Sequence, residues 1–396
     1  MPGPLSGITV LELGSFIAGP FAGQLLADYG AEVIKVEPPD AGDPMRRWGV
    51  TVDGDSLWWP AIARNKRSVT IDLRSAEGQD LVRRIAPRVD VVLENFRPGT
   101  IERWGLGMER LQELNPGIVV VHVSGFGRSG PLADQPGFGS VGEAVGGIRY
   151  TTGSPDQVPA RCGVSLGDSL AGMFAVIGAL ASLVERSRSG RGQEVDVAIS
   201  EAVLALMEST LADYHVAGVV RKRTGGTLEG VAPSNVYPTG DGLDIIVAAN
   251  ADTVFARLAR AIGKPELPQD PRFRDHEARG RNMAALDDLI AAWTGRHTAE
   301  QVIKTLRAHG VPVGPINNAE TLIEDEQFRA RDMVLWHTDE AGRELPMNGI
   351  VPKFSRTPGA VDRLGPALGA DTDAVLLAHG VVDSSELDRL RAAGVV

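Results

Sequence analysis

Residues 8–36 constrain this chain most. Ile8-Thr9-Val10-Leu11-Glu12-Leu13 is a short apolar run with strand character, closed by Gly14. Pro20 to Tyr29 has helical spacing, with proline at its start and Gly30 just past its end, and Val33-Ile34-Lys35-Val36 is strand-like again. Strand, helix start, helix stop and strand in that order form a βαβ unit, whose crossover makes its two strands parallel.

The pattern repeats along the first half. Ser68–Leu73 reads as a strand, and 76–87 as an amphipathic helix through Leu81, Val82 and Ile85. Val89–Leu93, Ile118–Val121 and Glu194–Val197 read as strands, and 200–215 as a helix. Near-continuous apolar runs suit a parallel sheet covered on both faces. The fold class expected is therefore α/β, an open, doubly wound, Rossmann-like large domain. At 396 residues the chain exceeds the roughly 250–300 residues that one core sustains. Arg221-Lys222-Arg223-Thr224-Gly225-Gly226-Thr227 has the composition of a crossing linker. Beyond it come a strand at 243–248 and helices at 252–262, 282–293 and 299–309, the last with Thr298-x-x-Gln301 as a capping box. The expected domains are a large one at 1–220, a small α+β one at 225–325, and a return segment at 326–396 that completes the large domain. The return segment holds a strand at 334–337 and a helix at 384–393 capped by Asp383.

Composition narrows the function. A net charge of -11 argues against nucleic acid and against anionic membrane as partners. Cys162 is the only cysteine, so no intrachain disulfide or CxxC zinc site is possible. There is no HExxH and no histidine cluster, so no metal is expected. No uninterrupted apolar run approaches about 18 residues, so no membrane span is expected. The start, Met1-Pro2-Gly3-Pro4-Leu5, lacks the pattern of a secretory leader, and a cytoplasmic location is expected. Gly125-Phe126-Gly127-Arg128-Ser129-Gly130 matches GxGxxG, yet Pro131 and Asp134-Gln135-Pro136-Gly137 follow where a helix should open, so a dinucleotide site is not expected. Glu37 could mimic the ribose-binding acid, but Gly14–Gly19 lacks the glycine spacing that goes with it. Three basic spots remain, Arg46-Arg47, Asn65-Lys66-Arg67 and Arg97 with Arg103, all at expected strand–helix junctions, where open sheets take anionic ligands.

The candidate nucleophile is Asp168. A helical run through Leu170, Phe174, Ile177, Leu180 and Leu183 begins beside it and stops at Ser189-Gly190. This reads Asp168 as the helix N-cap, its carboxylate among unpaired N–H groups at the positive end of the dipole. A carboxylate held ionised there can act as a nucleophile.

Several segments occur in one order: Ala18-Gly19-Pro20, Gly30-Ala31-Glu32-Val33-Ile34-Lys35-Val36-Glu37, Gly42-Asp43, Asn65-Lys66-Arg67-Ser68, Glu94-Asn95-Phe96-Arg97-Pro98-Gly99, Gly190-Arg191-Gly192-Gln193 and Val311-Pro312-Val313-Gly314-Pro315-Ile316. Together they resemble the family III CoA-transferases (the CaiB/BaiF family, with formyl-CoA transferase, carnitine CoA-transferase and 2-methylacyl-CoA racemase). The resemblance covers nearly the whole chain. It implies a homodimer of two interlocked rings, a catalytic aspartate at Asp168, and no cofactor beyond the coenzyme A thioester, which is a substrate. It implies CoA phosphates met by Arg97 and Arg103, with Asn65, Lys66, Arg67, Asn95 and Phe96 nearby. It also implies that the turn Phe16-Ile17-Ala18 brings backbone N–H groups to the reacting carbonyl. Ile17 stands where formyl-CoA transferase carries glutamine. That enzyme's glycine-rich flap has at most a reduced counterpart in Gly225-Gly226.

The implied reaction moves CoA from an acyl-CoA donor to a free carboxylic acid, through acyl-aspartyl anhydrides and an aspartyl-CoA thioester. A small dicarboxylate is the expected acid and succinyl-CoA a possible donor, with Tyr214, His215 and Arg223 able to meet a distal carboxylate. Two alternatives stand beside it, a racemase or isomerase of the same family and a non-catalytic CoA-binding homologue. The racemases use a histidine where this chain has Phe138, which cannot carry a proton. An intact Asp168 argues against the non-catalytic homologue.

Overall fold

The computed structural model describes residues 3–396. The chain forms two compact units. The first comprises residues up to Ile148, Cys162–Gly218 and Arg329–Val396; the second comprises Arg149–Arg161 and Val219–Phe328. The segment Arg149–Arg161, which sequence reading assigns to the large domain, thus clusters with the second unit.

The first unit is built on six parallel strands: β1 (Thr9–Glu12), β2 (Glu32–Glu37), β3 (Lys66–Thr70), β4 (Val91–Glu94), β5 (Val119–Ser124) and β6 (Glu194–Ala198). Their spatial order is β3-β2-β1-β4-β5-β6, and every neighbouring pair is parallel. This is the doubly wound order, whose direction reverses between β1 and β4. Successive side chains alternate between two cores. Val10, Val33, Val91 and Val119 face one side. Leu11, Ile34, Val92 and Val120 face the other. Both sides are covered, which is why consecutive apolar residues such as Val10-Leu11, Val33-Ile34, Val91-Val92 and Val119-Val120 are all buried.

One side is covered by α1 (Ala18–Asp28) together with a 24-residue helix described below. The other is covered by α2 (Ala76–Ile85) and by the chain's final helices, Thr372–Ala378 and Ser384–Ala392. Val375, Leu376, Leu387 and Leu390 from the return segment share a core with Leu81 and Ile85. Asp383 caps the last helix by accepting from the Glu386 N–H at 2.8 Å.

Two expected elements shift. β3 starts at Lys66 and not at Ser68, because its register on β2 pairs Lys66 with Val33. The helix expected over 200–215 is broken into Ile199–Leu204 and Thr210–Ala217. Between them Glu208 has φ 51°, a left-handed backbone that a right-handed helix cannot pass through.

Between β5 and β6 run α3 (Gly139–Val145) and α4 (Leu166–Ser189). By length and composition α4 is long and apolar enough to cross a membrane, although Asp168, Ser169 and Ser182 interrupt its apolar run. Its Leu170, Ala171, Ala175 and Ala179 are buried in the core beside β1 and β5, so in this fold it serves as a core helix. It ends at Gly190, φ 73°, a left-handed cap.

The second unit has a three-stranded antiparallel sheet, with Asp244–Ala248 between Ser234–Pro238 and Val313–Pro315. Helices Asp252–Ala261, Met283–Thr294 and Ala299–Ala308 pack on it through Phe255, Leu258, Leu286, Ile290, Val302 and Leu306. Thr298 and Gln301 form the expected capping box. Arg279 is fully buried and satisfies the carbonyls of Ala232, Phe273 and Asn250.

Candidate active site at the switch point

Asp168 lies on α4, but as its third residue; the N-cap position belongs to Ser165. The helix begins three residues earlier than expected because Leu166 and Gly167 already have helical geometry. The carboxylate still lies in the first turn, where N–H groups lack helical acceptors. It is half-buried and rests on the start of α3. A β-carbon on Gly139 would stand 2.7 Å from Asp168 Cγ, so only glycine leaves room for the carboxylate there. Glu143, buried on α3, accepts the Gly167 N–H at 3.3 Å, tying the two helices together beside Asp168.

The start of α1 approaches the same helix. Four residues beyond Asp168, a β-carbon on Gly172 would lie 3.0 Å from the Ala18 carbonyl and 3.0 Å from the Phe21 ring. Four residues is about one helical turn, so the Phe16–Ala18 turn lies near Asp168. Phe16 is left-handed, φ 65°. Its ring packs edge-on to Phe138 at 6.5 Å and to Trp48 at 5.7 Å. Phe138, largely exposed, immediately precedes Gly139. Phe16, Phe138, Gly139, Ala18 and Asp168 are thus brought together from three separate segments.

Beneath this turn lies a buried charge network that sequence reading missed. Glu12 pairs with the ammonium groups of Lys35 at 3.1 Å and Lys66 at 2.8 Å. Lys35 also meets Asp43 at 2.7 Å and donates to the Gly14 carbonyl. Asp43 accepts the N–H groups of Met45 at 2.9 Å and Phe16 at 3.1 Å. Burial alone would lower the Lys35 pKa, but Asp43 and Glu12 hold it above its ordinary value. Burial alone would raise Asp43, but Lys35 and the two N–H groups hold it below the usual carboxylate range. The available signal was a charged residue within a short, largely apolar run, Glu12 in Ile8–Leu13 and Lys35 in Val33–Val36.

This network corrects several expectations. Lys66 is fully buried, and its ammonium is spent on Glu12 and on the Pro20 carbonyl at 2.6 Å, so it cannot meet a phosphate. Asn65 donates to Asp28 and the Ala360 carbonyl and accepts from Asp362, which makes it a structural joint. Arg67 pairs with Glu32 at 3.3 Å. All three stand at the amino-terminal edge of β3, away from the carboxyl ends where such sheets bind ligands. Glu37 is held by Arg46 at 2.7 and 2.8 Å and by Ser68 at 2.6 Å, so it is not a ribose acid. The N–H groups of Gly127 and Arg128, in the GxGxxG stretch, are taken by Ser124 and Asp196.

The segment after β4 lies at the carboxyl end of the sheet. Phe96 packs on Trp104 at 5.1 Å. Arg97 and Arg103 are exposed; Arg103 donates to the Thr100 hydroxyl at 3.0 Å and lies over Gly99. The Asn95 side chain is not free for a ligand, because both of its polar atoms are bonded to Ser15. Ile17 is half-buried at the head of α1 and packs against the Met45–Trp59 cluster. Tyr214 and His215 are exposed in the first unit. Arg223 belongs to the second, where it donates to the Tyr150 carbonyl at 3.0 Å.

Comparison with known proteins gives a consistent picture. The family model for CoA-transferase family III matches residues 5–372. The chain is similar to succinyl-CoA–D-citramalate CoA-transferase of Chloroflexus aurantiacus, with 58% identity over 93% of this chain and 92% of that protein. It is also similar to the alpha subunit of succinyl-CoA–L-malate CoA-transferase of Chloroflexus aurantiacus, 38% identical over 99% of this chain and 92% of that subunit. Among solved structures, a CaiB/BaiF family protein from Brucella suis superimposes with a TM-score of 0.84 at 35% identity, covering 96% of this chain and all of that one.

Proposed function

We propose, on the premise that this chain belongs to CoA-transferase family III, that it moves CoA from succinyl-CoA to a small 2-hydroxy dicarboxylate, with Asp168 as nucleophile. That the protein is a CoA-transferase follows from family and homology. Donor, acceptor and mechanism are our reading. The single observation behind the nucleophile is the Asp168 carboxylate in the first turn of α4, fitted against Gly139 and one turn from the head of α1. The choice of acids rests on the two relatives named for citramalate and malate.

A carboxylate oxygen of Asp168 attacks the succinyl thioester carbon. The tetrahedral oxyanion collapses with cleavage of the C–S bond, leaving a succinyl-aspartyl anhydride and CoA thiolate. The thiolate attacks the aspartyl carbonyl, succinate leaves, and an aspartyl-CoA thioester remains. The acceptor carboxylate attacks that thioester, releasing thiolate and forming a second anhydride. Thiolate then attacks the acceptor's acyl carbon, giving the new acyl-CoA and restoring the Asp168 carboxylate. Each step exchanges acyl groups of comparable energy, so no cofactor beyond the CoA substrate is required. N–H groups at the head of α1 are the donors for the oxyanion, and Phe16 and Phe138 shield the anhydride from water. Arg97 and Arg103 take the CoA phosphates.

We also propose that the working form is an intertwined homodimer. Met173, Ile177 and Val184 are 42%, 59% and 56% exposed and recur at helical spacing on α4, an apolar stripe that a second chain would bury. The exposed, unpaired Cys162 suits a reducing, cytoplasmic setting.

The test is a matrix of succinyl-CoA with malate, citramalate, glutarate and monocarboxylates, with products read by mass. The expected result is a new CoA ester of a hydroxy dicarboxylate. Transfer only to monocarboxylates would overturn the assignment of substrate class.

A further inference from the structure

We propose that Asn95 and Asp43 are positioning residues, which clamp the Ser15–Phe16 turn and thereby decide which N–H groups face the reacting carbonyl. The inference rests on the role of Asp168 given above and concerns a feature of this chain's own geometry.

Asn95 grips Ser15 as a neighbouring strand would. Its Oδ1 accepts the Ser15 N–H at 2.8 Å, and its Nδ2 donates to the Ser15 carbonyl at 2.8 Å. The carboxamide is inserted between two glycines. A β-carbon on Gly14 would stand 3.1 Å from Asn95 Cγ, and one on Gly19 3.4 Å away. Asn95 follows β4 and Ser15 follows β1, so the bridge spans the point where the strand order reverses. Asn95 is itself held by its neighbours, for Glu94 accepts the Phe96 N–H at 2.6 Å and pairs with buried His122.

Asp43 holds the next residue. Its Oδ1 takes the Phe16 N–H at 3.1 Å while its Oδ2 pairs with Lys35. Lys35 in turn donates to the Gly14 carbonyl. Gly14, Ser15 and Phe16 are therefore each fixed by a different side chain, and Phe16 stays at φ 65°, a region unfavourable to a bulky residue without such support.

The clamp has a chemical consequence. It uses up the N–H groups of Ser15 and Phe16. The next donors are those of Ile17, Ala18 and Gly19, which as N-cap and first-turn groups have no acceptor within α1. Pro20 has none to offer. These three N–H groups head the helix that packs on α4 one turn from Asp168. Rotating the turn would move all three together, and the Phe16 ring with them.

The experiment uses the full-length protein with succinyl-CoA and its best acceptor, measuring kcat, KM and direct CoA binding by calorimetry. Asn95→Ala is expected to lower kcat on the order of 10²-fold, the scale of a displacement of about 1 Å in a reacting site. KM for succinyl-CoA and CoA affinity should change by less than about threefold, because the phosphate contacts are untouched. Asn95→Asp, which keeps the acceptor for Ser15 N–H, should recover part of the rate. Asp43→Asn, nearly isosteric, should reproduce the kcat loss, and it decides the matter if Asn95→Ala does not fold. A raised KM with kcat preserved would make Asn95 a CoA contact and overturn the proposal; unchanged kcat in both Asn95→Ala and Asp43→Asn would also overturn it. Asp168→Ala is run alongside. Full transfer by that variant refutes the nucleophile itself, whereas its inactivity with normal kcat at Asn95 and Asp43 refutes only the clamp.

Discussion

The carboxylate of Asp168 occupies the space in which a side chain on Gly139 would stand, with a β-carbon there falling 2.7 Å from Cγ. The two residues are 29 apart in sequence and meet because Glu143 ties α3 to the first turn of α4. Gly139→Ala should push the carboxylate aside while leaving CoA binding intact. A fall in kcat on the order of 10²-fold is expected, with little change in calorimetric CoA affinity. Normal kcat would show that the contact does not set the position of the proposed nucleophile.

Arg97 and Arg103 are exposed at the carboxyl end of the sheet. Each charge-assisted bond to phosphate is worth about 1.5–3 kcal/mol. Replacing either by alanine should raise KM for acyl-CoA about tenfold or more, with much smaller changes in kcat. The effect should shrink on a pantetheine thioester, which lacks the nucleotide phosphates. Equal loss of kcat on both substrates would place the arginines nearer the chemistry.

Much of the fold was legible in the sequence, because a doubly wound sheet announces itself through short apolar runs separated by helix starts and stops. β1, α1 and β2 fall within a few residues of their expected bounds, and the capping box at Thr298 is where the spacing placed it. The site was legible only as residue identities. Which polar atoms remain free depends on partners far away in sequence, as for Asn95 with Ser15 or Lys66 with Glu12. No local pattern encodes those pairings, so Asn65 and Lys66 looked like phosphate ligands although the fold consumes both. Spacing alone makes Asp168 a cap for a similar reason, since the helix start depends on how Gly167 packs on Gly139 and Ile199.

The buried network should make the first unit sensitive to acid. Asp43 and Glu37 have folded pKa values below their ordinary 3.8 and 4.5. Burial opposes both shifts, but Lys35 for Asp43 and Arg46 for Glu37 outweigh it. A lowered folded pKa means that the unfolded chain binds more protons in this window. Stability is thus present above the ordinary values and is lost as pH falls through the folded ones. Asp28, raised by burial, acts in the opposite sense and offsets part of the loss. Denaturant midpoints should therefore drop steeply below about pH 4, and less steeply in Asp43→Asn. A flat profile from pH 6 to 3 would contradict the ionised network.

The exposed stripe on α4 predicts self-association. Ile177→Glu places a charge at the centre of that stripe and, at 59% exposure, should not disturb the core. Sedimentation should show a dimer for the parent and a monomer or a dissociating dimer for the variant. A compact monomer for the parent at low micromolar concentration would refute the dimer.

Covalent capture at Asp168 is the most direct test. The protein is incubated with succinyl-CoA and no acceptor, quenched in acid, digested and analysed by mass. The expected result is CoA joined as a thioester to the peptide carrying Asp168, removable by hydroxylamine, and absent from an inactive Asp168→Ala variant. Undiminished transfer by Asp168→Ala, or CoA attached to another residue in the active enzyme, would contradict the mechanism.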